Sequence, residues 1–186
     1  MIRMLRRFLG NPGTIGAIAP SSPALAEAMT QQINKGAAVF EIGAGTGAIT
    51  RQILKSALSG PLVVFEQDHF FAECLRRRVG QTRVVEGLFH DTVVGLDEIP
   101  DTLVILSSVP FMSLSKILHV KTVEAICHIL LDSPNRRLIQ YTYFDRPPFT
   151  PRYSSLHWRR LTRVWANIPP ATVWELRSGI DREIDE

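Results

Sequence analysis

The chain has 186 residues, 45% of them hydrophobic and 21% charged, and a formal net charge of +3. That length fits one domain with its own core, without disulfide or metal staples, and the small basic excess does not demand nucleic acid but permits an anionic surface as partner. Two distant cysteines, Cys74 and Cys127, with no CxxC spacing exclude a redox motif, and five histidines without ligand spacing give no metal site.

Met1 to Leu9 predicts an amphipathic helix. Met1, Met4, Leu5 and Phe8 share one stripe, Arg3, Arg6 and Arg7 lie off it, and Asn11-Pro12-Gly13 stops it. A second helix starts at Ser22, with Ser22 as cap and Pro23 in the first helical position, and runs to about Ile33. Ala37 to Ile42 is a short apolar strand, followed by a glycine-rich bend and a helix from Ala48 to about Leu58. Leu62–Glu66 is the next strand, Asp68 to Val79 a helix, Arg83–Glu86 and Thr102–Leu106 two more strands. Ser113 to Leu131 reads as a helix and Arg137 to Phe144 as a fifth strand. Leu161–Ala166 and Thr172–Arg177 read as two final strands in a hairpin-type ending. Alternating strands and helices predict a parallel sheet covered on both faces. Residues 1–186 form one domain, with 1–35 as its N-terminal segment. No apolar run reaches the ~18 residues of a spanning helix, and the N-terminus lacks a secretory leader pattern, so a cytoplasmic protein is expected.

The chemistry concentrates in Glu41-Ile42-Gly43-Ala44-Gly45-Thr46-Gly47, between a strand and a helix. Glycines let the backbone bend tightly and let a ligand approach, and the helix start beyond offers unpaired N–H donors. Glu66 closes the following strand, where a carboxylate can accept hydrogen bonds from both hydroxyls of a ribose. Read as GxGxxG/A, the bend also suits a dinucleotide. Two features favour S-adenosylmethionine. Glu41 lies two residues before the first glycine, where it can reach a methionine ammonium directly or through water. A long segment also precedes the first strand, whereas dinucleotide domains tend to begin with it.

The sequence resembles the bacterial phospholipid N-methyltransferases, relatives of the rRNA adenine dimethylases. The likeness rests on Asn11-Pro12 with Gly16-Ala17-Ile18-Ala19-Pro20-Ser21-Ser22, the glycine bend, and Phe65-Glu66-Gln67-Asp68. It continues at Ser107 to Leu114, Gln140-Tyr141-Thr142-Tyr143, Arg146-Pro147-Pro148 and Asn167 to Trp174. It implies a class I, Rossmann-like S-adenosylmethionine-dependent methyltransferase with a seven-stranded, mostly parallel sheet and N-terminal helices. It implies methylation of phosphatidylethanolamine by an enzyme peripherally bound to the inner membrane. By the resemblance Glu41, Gly43, Gly45 and Gly47 hold the methionine part, Glu66 with Gln67 the ribose, and Gly87-Leu88-Phe89 lie beside the adenine. The family commonly has an aspartate where this chain has Leu88; either Asp91 substitutes for it or adenine recognition rests on the backbone and apolar packing.

Transfer to an amine needs alignment and deprotonation more than covalent catalysis. Ser107 and the carbonyls before Pro110, at the fourth strand's end, and Tyr141, able to face a methylated ammonium, are the candidates near the methyl group. A turn hydroxyl for Ser107 and plain strand packing for Tyr141 are the competing readings. The rRNA dimethylases carry Asn or Asp before Leu-Pro-aromatic; here Ser108-Val109-Pro110-Phe111 lacks that amide, which counts against nucleic acid. Arg3, Arg6 and Arg7 would attract an anionic membrane while the apolar stripe anchors it. Arg146, with Arg152, Arg159 and Arg160, offers phosphate contacts. The alternatives are a methyltransferase for an rRNA base or small amine, and a catalytically silent S-adenosylmethionine-binding protein.

Overall fold

The structure, a computed structural model, describes residues 21–56 and 60–179. The elements in chain order are α1 (Pro23–Thr30), β1 (Ala38–Ile42), α2 (Ala48–Lys55), β2 (Leu62–Glu66), α3 (His69–Arg76) and β3 (Arg83–Glu86). They continue with α4 (Phe89–Thr92), β4 (Leu103–Ser107), α5 (Lys116–Leu131), β5 (Arg136–Thr142), β6 (Leu156–Val164) and β7 (Ala171–Ser178). One seven-stranded sheet runs β3-β2-β1-β4-β5-β7-β6. The first five strands are parallel, and β7 pairs antiparallel with both β5 and β6. The helix expected over Met1 to Leu9, with Arg3, Arg6 and Arg7, lies outside the described residues.

Local chemistry sets most boundaries. Ser22 caps α1, its Oγ accepting from the Leu25 amide at 3.2 Å, with Pro23 following where no donor is needed. Asp68 caps α3 through the Phe71 amide, so this helix opens one residue later than its apolar spacing suggests. The expected helix from Ser113 is divided. Phe111–Ser113 forms a 3₁₀ turn, and Ser115 then caps α5 through the Leu118 amide. The final hairpin is longer than expected: β6 begins at Leu156, because His157, Trp158 and Arg159 pair with Arg177, Leu176 and Glu175 of β7. Their alternating exposure marks an edge strand with one covered face.

β1 and β4 are buried along their whole length, as central parallel strands should be. Phe40, Ile42, Leu103, Ile105 and Leu138 face α5, packing against Ile126, Cys127 and Leu130. Val39, Val104, Leu106, Ile139 and Val173 face the other way, onto Leu25 and Met29 of α1 and Ile49 and Ile53 of α2. Val64 meets Leu75 of α3. Among the described residues no helix is long and apolar enough to cross a membrane.

Candidate active site

The carboxyl ends of β1, β2 and β4 converge on the glycine bend. The Gly43 amide donates to the Phe65 carbonyl at 2.8 Å, and the Ser108 amide donates to the Ile42 carbonyl at 2.9 Å. The bend is therefore held between the tips of both neighbouring strands. Gly43 has φ +71°, and a Cβ there would lie 3.4 Å from Val109 Cγ2, against the loop that follows β4. Gly45 has φ +53° with open space where a side chain would stand, so its requirement is conformational rather than steric.

Two carboxylates flank this bend. Glu41 is 1% exposed, and neither of its oxygens has a hydrogen-bond partner among the described residues. Burial raises its pKa from 4.5 to about 7; the neighbouring Thr50 hydroxyl and amide lower it, and Glu66 adds to the rise. The Thr50 hydroxyl is itself buried beside this carboxylate. An unpaired buried carboxylate carries a cost of several kcal/mol if ionised, on the order of the Born penalty left after relaxation, and a cation placed beside it removes that cost. Glu66, also buried, is the better satisfied: Oε2 accepts from the Gly45 amide at 2.7 Å and Oε1 from the Asp68 amide at 2.9 Å. Burial still moves its pKa upward, against the pull of those amides. A carboxylate has about four lone-pair positions, so hydroxyl donors can still be taken. Gln67 beside it is exposed.

The Gly87 amide donates to the Glu66 carbonyl at 3.0 Å, bringing the loop after β3 to the same edge. Leu88 stands at the cap of α4 and gives it no side-chain hydrogen bond. Phe89 is buried edge-on against Phe65, with centroids 5.0 Å apart, so its ring is part of the core beneath the loop. Asp91 points outward, 3.6 Å from His90.

At the end of β4, Ser107 is fully buried and its Oγ accepts from the Val109 amide at 3.2 Å. That local bond makes Ser107 a turn hydroxyl that shapes the loop. Ser108, partly exposed, stands directly before Val109. Pro110 is exposed at the rim. Tyr141 is buried at the end of β5, edge-on to Tyr143 at 5.7 Å, and burial pushes its pKa up against the pull of the neighbouring Ser21, Tyr143 and Ser108 hydroxyls. Arg146 lies at the same edge, its guanidinium 5.6 Å from the Phe144 ring centroid and 4.0 Å from Met112 Sδ. The other arginines offered for phosphate are engaged: Arg152 with Glu124, Arg159 with Glu175 at 2.9 Å, and Arg160 with Asp145 at 3.4 Å.

Two site-edge residues, Gln140 and Asn167, lie in stretches that carry the family resemblance, yet the sequence assigns them no role. Gln140 pairs in register with Ser107, and its Nε2 donates to the Val109 carbonyl at 3.1 Å and the Tyr141 carbonyl at 3.0 Å. A lone amide ending an apolar strand was the available clue. Asn167, in the β6–β7 turn, accepts from the Ser22 amide at 3.1 Å and donates to the Pro169 carbonyl at 2.7 Å. It ties the start of α1 to this edge, a contact 145 residues apart in sequence that local pattern cannot reveal.

The family model described as ribosomal RNA adenine dimethylase matches residues 7–140. The chain belongs to that family. It is thus an S-adenosylmethionine-dependent methyltransferase. Solved structures agree on the fold. A TehB-like SAM-dependent methyltransferase from Corynebacterium glutamicum superposes with a TM-score of 0.59 at 14% identity, covering 96% of each chain. The SAH-bound Podospora anserina methyltransferase PaMTH1 gives 0.59 at 13% identity, covering 96% of this chain and 87% of that one. TrmN from Thermus thermophilus gives 0.57 at 14% identity, covering 94% of this chain and 53% of that one. No curated protein matches the chain. The matched family is the one the sequence reading placed as a relative; the phospholipid type is a finer reading than these matches carry.

Proposed function

We propose that the enzyme transfers a methyl group from S-adenosylmethionine to an amino nitrogen, the exocyclic amine of an adenine in ribosomal RNA. The family match over residues 7–140 supports this reading, while the missing amide in Ser108-Val109-Pro110-Phe111 counts against nucleic acid. The site chemistry fits the cofactor at one decisive point. Glu41 presents two buried, unpartnered carboxylate oxygens beside the glycine bend, the complement of an ammonium. Glu41 holds the methionine ammonium, Gly43, Gly45 and Gly47 let the backbone lie against the methionine part, and Glu66 accepts from the ribose hydroxyls. Gly87 and Leu88 border the adenine with backbone and apolar surface. When bound, the cofactor supplies an electrophilic methyl group at the carboxyl end of β4. Ser107 fixes the loop there, and Tyr141 supplies an aromatic wall with its hydroxyl near those of Tyr143 and Ser108.

A second acceptor, the amine of a phospholipid headgroup, is favoured by one observation. Met112, Phe144, Trp165 and Ile168 are 50%, 47%, 72% and 86% exposed, and all stand in loops at the carboxyl edge of the parallel strands. Arg146 lies beside Phe144, and Arg163 lies over the Trp165 ring at 4.8 Å. Apolar side chains mixed with arginines suit an anionic lipid surface, with the N-terminal segment as a further anchor.

Incubation with isotopically labelled methyl donor separates the two. In vitro transcribed ribosomal RNA and vesicles of phosphatidylethanolamine with phosphatidylglycerol are offered in parallel. Label in RNA as methylated adenine supports the first reading; label in lipid alone replaces it with the second. Label in neither overturns both.

A further inference from the structure

Gln140 is 3% exposed and lies between Ser107 of β4 and Trp174 of β7 in the sheet register. Both hydrogens of its amide are committed, one to the Val109 carbonyl and one to the Tyr141 carbonyl. Those two acceptors fix which atom is nitrogen, since an oxygen could donate to neither. The remaining atom, Oε1, is buried and has no hydrogen-bond partner among the described residues. A buried carbonyl left unpaired costs about 1–3 kcal/mol, and native proteins rarely leave one without reason. No other residue of β5 before it is polar and buried apart from Arg136 at the strand's far end.

We propose that Gln140 Oε1 receives an N–H of the acceptor amine, while its Nε2 fixes the loop after β4 by holding the Val109 carbonyl. This rests on the function proposed above and names a residue that binds the acceptor in that site. The arrangement suits a hydrogen donor and not an acceptor, because Gln140 keeps no hydrogen with which to meet an acceptor atom; the amine's N–H is the donor that the proposed reaction supplies. The contact turns the nitrogen lone pair toward the methyl group and takes up part of the positive charge that nitrogen gains as the N–C bond forms and the donor's C–S bond breaks. The surplus N–H proton then leaves to solvent; a carboxamide does not take it. The same oxygen serves an adenine N6 amine or an alkylamine, since both present N–H.

The test compares wild type with Gln140→Met, which keeps length and volume without the amide, and Gln140→Asn, which keeps the amide one methylene short. Each is assayed with ribosomal RNA, with phosphatidylethanolamine vesicles and with free ethanolamine, and S-adenosylmethionine affinity is measured separately by calorimetry. Calorimetry also reports whether each variant is folded. The expected result is a 10- to 100-fold fall in kcat/KM for the methylated acceptor in both variants, with cofactor affinity within twofold of wild type. A structural role alone would weaken both together. Wild-type methylation with either folded variant within threefold overturns this inference and leaves the proposed function standing, as does a parallel loss of cofactor affinity. A wild type inactive on all three acceptors overturns both. Should Gln140→Met fail to fold, the Asn variant decides by the same criteria.

Discussion

The amide of Gly45 donates a 2.7 Å hydrogen bond to Oε2 of Glu66, 21 residues away in sequence. This bond joins the bend after β1 to the tip of β2, so one carboxylate both shapes the bend and faces the crevice beside it. Glu66→Gln removes the charge and makes one of its two acceptor positions a donor, which opposes either the Gly45 or the Asp68 amide. Hydrogen bonds to charged groups are worth about 1.5–3 kcal/mol, so S-adenosylmethionine affinity should fall roughly 10- to 100-fold. Calorimetry checks this; affinity within twofold of wild type would remove Glu66 from the cofactor site.

Glu41 makes the pH dependence explicit. Its folded pKa, about 7, lies above the ordinary 4.5, so the native state holds this proton more tightly than the unfolded chain. Stability from this group is present at low pH and is lost as pH rises from 4.5 through 7. Glu41→Gln, which cannot ionise, should therefore stabilise the cofactor-free protein by about 3 kcal/mol at pH 8 and much less at pH 5. Thermal unfolding at the two pH values reads it. The same variant should lose cofactor affinity. Wild-type affinity should decline about tenfold per pH unit below 7, because only the ionised carboxylate pairs with an ammonium. A variant stabilised at pH 8 that still bound S-adenosylmethionine at full strength would show that Glu41 meets no ligand cation.

Ser107 separates a turn from a catalyst. Its hydroxyl oxygen accepts from the Val109 amide and so shapes the turn, and Ser107→Ala should cost about 1 kcal/mol of stability and less than about tenfold in kcat. Turnover lowered a thousandfold with cofactor binding intact would restore a direct catalytic role.

Arg136 anchors the opposite end of the sheet. Its guanidinium donates to the carbonyls of Pro100, Ile129 and Ile99 at 2.9, 3.0 and 2.8 Å, and the residue is buried. Arg136→Lys keeps the charge but cannot span three carbonyls, a fork geometry special to arginine. Unsatisfied buried carbonyls make a loss of about 2–4 kcal/mol the expected outcome in denaturant unfolding. An unchanged midpoint would mean those carbonyls find other donors.

The parts of this architecture encoded locally were legible in the sequence. Ser22-Pro23, the glycine bend and the Glu66 strand end each carry their own chemistry within a few residues, and the parallel arrangement of the first five strands follows from the alternation of strand and helix; the count of seven in one sheet is what the family resemblance implies. The site's other half depends on register. Gln140 stands at the Val109 loop because β5 lies beside β4 with Ser107 opposite it, and Asn167 comes to the same edge because β6 and β7 fold back there. Phe89 was offered beside the adenine by its place after Gly87, yet the ring turns inward onto Phe65, since a short helix beginning at Phe89 directs it to the core.

A crystal structure of the protein with S-adenosylhomocysteine tests the central assignment most directly. The account predicts its amino group at Glu41, directly or through one water, and both ribose hydroxyls on Glu66. Ligand bound elsewhere, or Glu41 still unpaired beside a vacant glycine bend, would contradict it.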